Sequence, residues 1–395
     1  MTTQLPFSAT DSLTGYLFQV KYALLDALRR LKEDVEFSVS IETLDDVVFQ
    51  KPGQPADLIQ VKHHTKPANL TDASPDLWKT IRIWVEQYNA GNLMIGTRFY
   101  LVTTANISAN SIAYYLKPNQ VSRDISKAIL RLDEVSQSST NQENKPAYDV
   151  YRSLDINQKA FLLNSVIIID SVPVISDIDS EIRREVLLVV DKKFIQSFVE
   201  RVEQWWYRRA LMHLTKDKQE PILSEEILAE LGALREQFKQ DNLPVYEEII
   251  SAAIDDTIYQ DRIFVQQLKL IEVSSKRIFF AVRDYFRAFE QRSRWIREDL
   301  LQSGEVEKYE QSLIEDWEMH FEQMRDMVGE EITDKEKLRL AQEIYAWVET
   351  GDLKQIRPRV SESSLARGSY HILSDRQVVG WHPEFREKLM QVLGV

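Results

Sequence analysis

Two stretches decide the fold: Glu36-Phe37-Ser38-Val39-Ser40-Ile41-Glu42-Thr43-Leu44-Asp45-Asp46-Val47-Val48-Phe49, and then Asp57-Leu58-Ile59-Gln60-Val61-Lys62-His63. In the first, Phe37, Val39 and Ile41 alternate with polar residues, the period-two pattern of a half-buried strand over Glu36–Ile41. Asp46–Phe49 reads as a second strand, and Lys51-Pro52-Gly53-Gln54-Pro55 turns the chain. Asp57–His63 is then a third strand, with Leu58, Gln60 and Lys62 on one face and Ile59 and Val61 on the other.

Outward from this meander the period changes. Before it, Leu13, Leu17, Val20, Leu24, Leu28 and Leu31 recur at spacings of three and four, predicting an amphipathic helix over Ser12–Lys32. After it, Ser74-Pro75-Asp76 opens a helix whose buried stripe is Leu77, Ile81, Trp84, Val85 and Tyr88. Arg98–Thr104 predicts a fourth strand and Val166–Ile169 another. Helices are expected over Ser108–Tyr115, Val121–Val135, Gln158–Asn164, Ser180–Val190 and Asp191–Leu214.

Lys216-Asp217-Lys218-Gln219-Glu220-Pro221 reads as a linker, giving domains at 1–215 and 222–395. From Ser224 the pattern is nearly all helical, with two long stretches at Arg262–Leu301 and Val306–Met327. Arg367–Leu373 and Gln377–Trp381 read as a small terminal β-hairpin. The expected fold class is therefore an α/β amino-terminal domain, a mixed sheet flanked by helices, followed by a mainly α-helical carboxy-terminal domain.

The chain has 395 residues and a formal net charge of −13, with 44% apolar and 28% charged residues and no cysteine. Disulfides, thiolate metal sites and a cysteine nucleophile are excluded, and a reducing cytoplasm is the expected location. Met1–Ser12 lacks a basic start followed by an apolar run, so no signal peptide is expected there. No apolar stretch is long enough to span a bilayer, so no membrane partner is expected. The first 215 residues carry 24 Lys+Arg and 26 Asp+Glu, and the remainder 25 and 36. So acidic a chain does not coat itself with nucleic acid, and any contact to phosphates needs a local basic patch or partner chains.

Gln60 and Lys62 lie two apart on one strand face, and Asp46 faces them across the loop from a neighbouring strand. Glu42 stands near the end of the preceding strand, and Gln19 on the opening helix. A carboxylate, an amide oxygen and a backbone carbonyl (Asp46, Gln60, Val61) are hard oxygen ligands suited to magnesium or manganese. With a lysine beside them, they make the set that metal-assisted phosphodiester hydrolysis uses. Lys66, Lys79 and Arg82 are candidates for contacts to DNA phosphates, the last two three apart on one helix face. His63 and His64, adjacent on a strand, point to opposite faces and so cannot ligate one metal together. Trp205-Trp206-Tyr207 and the stripe Phe279, Phe280, Tyr285, Phe286, Phe289 read as core or subunit interface. No phosphate-cradling glycine loop or H-E-x-x-H is present, so any ATP hydrolysis falls to a partner.

Gly15-Tyr16-Leu17-Phe18-Gln19, Ile41-Glu42-Thr43-Leu44-Asp45-Asp46-Val47 and Gln60-Val61-Lys62-His63-His64 resemble the restriction-type PD-(D/E)XK nucleases, nearest to the double-stranded DNA endonucleases of CBASS and related antiphage systems. Ser293–Val395, with Trp295, Trp317, Arg357-Pro358-Arg359 and Arg367-Gly368-Ser369-Tyr370-His371, resembles the carboxy-terminal domain of ABC-three-component systems. Together they resemble the nuclease subunit of Lamassu defence systems. The resemblance implies a restriction-endonuclease-like fold, Asp46 as metal ligand, Gln60 in the first position of the tripeptide, Lys62 as catalytic lysine, and Glu42 and Gln19 as supporting groups. It also implies an SMC-like ATPase, a small third subunit, gated cleavage of double-stranded DNA, and a homo-oligomer when active. Gln60 departs from the acid of the parent pattern. Two other functions stay open: a nuclease fold that serves only as a docking scaffold, and a toxin-like RNA nuclease.

Overall fold

The computed structural model describes residues 9–91, 94–215, 219–328 and 332–393. The chain forms two compact units, Met1–Ala233 and Leu234–Val395. The residues before position 9, and Lys216–Lys218 of the expected linker, lie outside the described residues.

The first unit opens with α1 (Ala9–Arg30), followed by β1 (Ser38–Ile41), β2 (Val47–Gln50), β3 (Asp57–Lys62) and the two-residue β4 (Asn69–Leu70). Next come α2 (Pro75–Asn89), β5 (Arg98–Thr103), β6 (Asn106–Ile107), α3 (Ile112–Tyr115), α4 (Ile125–Ser138), α5 (Lys145–Arg152) and α6 (Ile156–Ser165). The unit continues with β7 (Val166–Ile169), α7 (Ile178–Glu185), α8 (Ile195–Thr215) and β8 (Ile222–Leu223). The main sheet has the order β7-β5-β3-β2-β1-β8. β3, β5 and β7 run parallel, whereas β3/β2, β2/β1 and β1/β8 pair antiparallel, so the sheet is mixed as expected. β4 and β6 pair separately.

The local causes are legible. Ser74 and Pro75 start α2, whose Leu77, Trp78, Ile81, Trp84 and Val85 are buried with Leu58, Phe99 and Leu101. β3 is central, so five of its six residues are buried despite its polar letters. Asp57 at its start is 4% exposed and held between two guanidinium groups, Arg30 at 2.7 Å and Arg98 at 2.7 Å. The β2/β3 ladder ends at Val47↔Ile59, and the next residues on each strand carry the candidate site.

Ile222–Leu223 pairs with β1, so the first unit extends past the expected linker and past the 215/222 boundary. The hydroxyl of Ser224 accepts the Phe37 N–H at 3.1 Å, which fastens that return.

α9 (Ser224–Gln237) leads into the second unit, which contains α10 (Glu247–Ile250), α11 (Ile263–Leu270), α12 (Ser275–Arg297), α13 (Glu305–Asp326), α14 (Asp334–Thr350), α15 (Ser363–Asp375) and α16 (Phe385–Leu393). Phe264, Val282, Leu313, Tyr345, Tyr370 and Trp381 centre its core. Arg357 is buried; it holds Glu305 with two nitrogens at 2.6 and 2.9 Å and donates to the carbonyls of Asn242 and Leu300.

The expected terminal hairpin is absent: Arg367–Leu373 lies inside α15, and Gln377–Trp381 is irregular. Gly368, within α15, is a contact residue. A Cβ there would stand 1.9 Å from the Asp284 carbonyl oxygen of α12, so the two backbones meet closely only because the side chain is missing. Arg262–Leu301 is likewise two helices, broken at Glu272, whose φ is +55°.

Candidate active site

The hairpin joining β1 to β2 delivers the acidic residues. Glu42 adopts a left-handed φ of +52°, and its N–H donates to the Asp46 carbonyl at 3.0 Å, closing the turn. Asp45 and Asp46 then lie alongside Gln60 and Val61 on β3. The Asp46 carboxylate accepts the Val61 N–H at 2.8 Å and lies 3.4 Å from Gln60 Nε2 and 3.9 Å from Lys62 Nζ. Lys62 Nζ donates to Gln60 Oε1 at 3.0 Å, so its ammonium faces both oxygen-bearing side chains. Asp46, Gln60, Val61 and Lys62 therefore converge.

Gln19, half-buried on α1, also hydrogen-bonds the Asp46 carboxylate, while its Oε1 is buried without a partner among the described residues. Glu42 joins by its backbone N–H and lies within reach of the Asp46 charge. Burial pushes the Glu42 carboxyl up, and the Asp46 charge adds to that against the pull of Lys62. Burial likewise raises Asp46, opposed by Lys62 and by the hydrogen bonds from Val61 and Gln19.

Asp45 was not singled out by its spacing, yet it is the most deeply set acid of the group, 6% exposed. It accepts hydrogen bonds from the Gln60 amide nitrogen, from its neighbour Asp46 N–H at 3.0 Å and from the Trp84 indole at 3.2 Å. Burial, then the adjacent Asp46 charge, push its carboxyl up to about 7. The doublet Asp45-Asp46 beside a helix carrying Trp84 was the only trace of this arrangement in the sequence.

The two histidines diverge as their spacing requires. His63 packs on Phe18 of α1 at 4.5 Å between ring centroids, and His64 Nε2 meets Asp76 of α2 at 3.0 Å. The Asp76 hydrogen bond raises the His64 pKa, whereas burial lowers that of His63. Of the three basic residues expected to reach phosphates, Lys79 pairs with Glu143 at 2.6 Å and Arg82 lies 3.6 Å from Glu86. Lys66 is exposed and has no ion pair among the described residues.

The donor set suits a hard divalent cation by type, since a carboxylate, an amide oxygen and a main-chain carbonyl are all oxygen ligands. It carries little charge: among the described residues, no group of three or more His, Asp or Glu side chains is placed to hold a metal. Gln19, whose Oε1 has no partner among the described residues, brings a further side-chain amide to the Asp46 carboxylate.

Trp206 is buried and its indole donates to the Val20 carbonyl at 2.8 Å, and Tyr285 is buried in the second unit, so these aromatics serve the core. Phe280 and Phe289 of the same stripe are exposed. Among the described residues no helix is long and apolar enough to cross a membrane.

Residues 264–389 match the family model for C-terminal domain 7 of the ABC-three component (ABC-3C) systems. No curated protein matches the chain. Among solved structures, it is similar to the Cap4 SAVED/CARF-domain containing receptor of Moraxella osloensis, with 15% identity and a TM-score of 0.34 over 65% of this chain and 60% of that one. It is similar also to the Acinetobacter baumannii Cap4 receptor, with 17% identity and a TM-score of 0.29 over 60% and 49% of the two chains. The same receptor with the cyclic trinucleotide 3'3'3'-cAAA gives 13% identity and a TM-score of 0.33 over 72% and 59%. The chain thus spans 49–60% of the length of those structures. The matched segment contains Trp295, Trp317 and Arg357.

Proposed function

We propose that the first unit is a metal-dependent endonuclease for double-stranded DNA, and that the second docks it onto partner subunits of a Lamassu-type defence complex. The observation that carries this reading is the convergence of Asp46, Gln60 and Lys62 at the end of one central strand, with Lys62 Nζ 3.0 Å from Gln60 Oε1 and 3.9 Å from Asp46. Their order and spacing fit the resemblance to PD-(D/E)XK nucleases, here on a mixed six-stranded sheet with helices.

Asp46, Gln60 Oε1 and the Val61 carbonyl would hold magnesium or manganese. Such a cation, when bound, polarises a phosphate and lowers the pKa of an attacking water. Lys62 orients that water or neutralises charge developing on the phosphate, Gln19 keeps the Asp46 carboxylate in place, and the Glu42 N–H holds the Asp46 main-chain carbonyl. Lys66 offers a free ammonium to the backbone of a duplex, whereas Lys79 and Arg82 must first release Glu143 and Glu86. Each such site cuts one strand, so a double-strand break needs two copies of the chain. An SMC-like ATPase and a small third subunit supply the gating, because a free nuclease would damage its host.

The test is plasmid cleavage with magnesium by the complete complex, comparing wild type with Lys62→Ala. Wild-type cutting that falls at least about 100-fold in the variant supports the reading. Equal survival of plasmid with both favours a second reading, a docking scaffold, which the absence of a three-ligand group among the described residues makes specific. A parallel assay on duplex RNA separates DNA from RNA as substrate.

A further inference from the structure

Gln60 stands where the parent pattern has an acid, and its surroundings give a physical reason. Three donors converge on Asp45: the Trp84 indole N–H on Oδ2, and the Asp46 N–H and the Gln60 amide on Oδ1. An indole and a backbone N–H can only donate, so this carboxylate is held as an acceptor. Whatever residue 60 turns toward it must donate. At the far end of the same side chain stands the Lys62 ammonium, which also can only donate and so demands an acceptor. An amide satisfies both ends in one orientation alone, Nε2 toward Asp45 and Oε1 toward Lys62. Gln60 and Asp45 are 4% and 6% exposed, so a mismatch between these two has no water to repair it, whereas the Lys62 end is partly open to solvent.

We propose that Asp45 is a positioning residue that dictates the amide at position 60, fixing Gln60 Oε1 on the Lys62 side and excluding glutamate there. Glutamate would bring a second buried carboxylate against Asp45, with Asp46 3.4 Å from the same point. Glutamine at this position is then the partner that two adjacent aspartates require, rather than a decayed acid. The inference deepens the nuclease reading and rests on it for the purpose of the orientation, though not for the pairing itself.

The test reverses the polarity of the pair in the full-length chain. Gln60→Glu is expected to lower the unfolding midpoint by several degrees. Asp45→Asn added to Gln60→Glu restores a donor opposite an acceptor and keeps one amide oxygen for the Trp84 indole, at the cost of the acceptor for the Asp46 N–H, and recovers part of the loss, whereas Asp45→Ala added to Gln60→Glu removes the charge clash with neither donor nor acceptor and recovers less. Should Gln60→Glu fail to fold, soluble folded protein from the Asp45→Asn/Gln60→Glu pair alone gives the same answer. If that pair is no more stable than Gln60→Glu, or no better than the alanine pair, the inference is overturned. Cleavage is read separately: Asp45→Asn alone frees the amide to turn over and is expected to lower kcat at least 10-fold, and the reversed pair regains part of it. Absence of cleavage by the wild type would sink the nuclease reading while leaving the stability cycle to decide this one.

Discussion

Asp46 accepts the backbone N–H of Val61 at 2.8 Å, just past the point where the β2/β3 ladder stops. One carboxylate therefore replaces a ladder hydrogen bond and remains in contact with Gln60 and Lys62. Structure and chemistry share a side chain here, and substitutions can separate them.

Asp46→Asn keeps an oxygen for the Val61 N–H but removes the charge. Its unfolding midpoint should stay within a few degrees of wild type while plasmid cleavage is lost. Asp46→Ala leaves the N–H unpaired and should cost about 1–3 kcal/mol as well. Denaturant titration and the cleavage assay on the same preparations distinguish the two.

Gly368→Ala drives a methyl into the Asp284 carbonyl, which stands 1.9 Å from the Cβ position, and must push α15 from α12. A loss of more than about 2 kcal/mol is expected. Gly232 in α9 has nothing within 4 Å of its Cβ position, so Gly232→Ala should be neutral or raise stability by about 0.5–1 kcal/mol. Chemical denaturation of the two variants measures the contrast.

His371 is wholly buried, and burial, followed by the Arg367 charge, depresses its pKa from 6.5 to about 3. His382 is depressed to about 4, again by burial first and then by Lys388. Between these values and 6.5 the unfolded chain binds more protons than the folded one, so stability falls as pH drops through that window and is fully present above it. Protection factors of the α15 amides, corrected for the slower intrinsic exchange in acid, should fall from pH 6.5 toward 4. His371→Phe should flatten that dependence.

Arg357→Lys keeps the charge but cannot hold Glu305 with two nitrogens while also reaching the Asn242 and Leu300 carbonyls. A loss of about 2–3 kcal/mol is expected, measured by thermal unfolding of the full chain.

The strands β1, β2, β3, β5 and β7 were legible within two residues because their apolar runs are continuous or alternate cleanly. So was the cluster of Asp46, Gln60 and Lys62, since strand periodicity alone puts positions 60 and 62 on one face. β4, β6 and β8 were not legible: two residues are too few to carry a period, and tertiary pairing alone makes them strands. α15 was misread because its burial wraps nearly the whole helix, which erases the one-sided stripe, and because glycine serves there as a contact surface. Asp45 was hidden for a related reason. Its partners Gln60 and Trp84 are distant along the chain, and nothing local separates an anchoring aspartate from a turn residue.

β8 has a consequence for synthesis. The open side of β1 gains its neighbour only when Ile222–Leu223 arrive, more than 180 residues after the strand they cover. A nascent chain still on the ribosome thus holds the acidic hairpin beside an uncapped sheet edge until most of the first unit has emerged. Completion of the sheet edge beside the acidic hairpin is tied to translation of the segment that leads into the second unit, so a prematurely terminated product would be left without its edge strand.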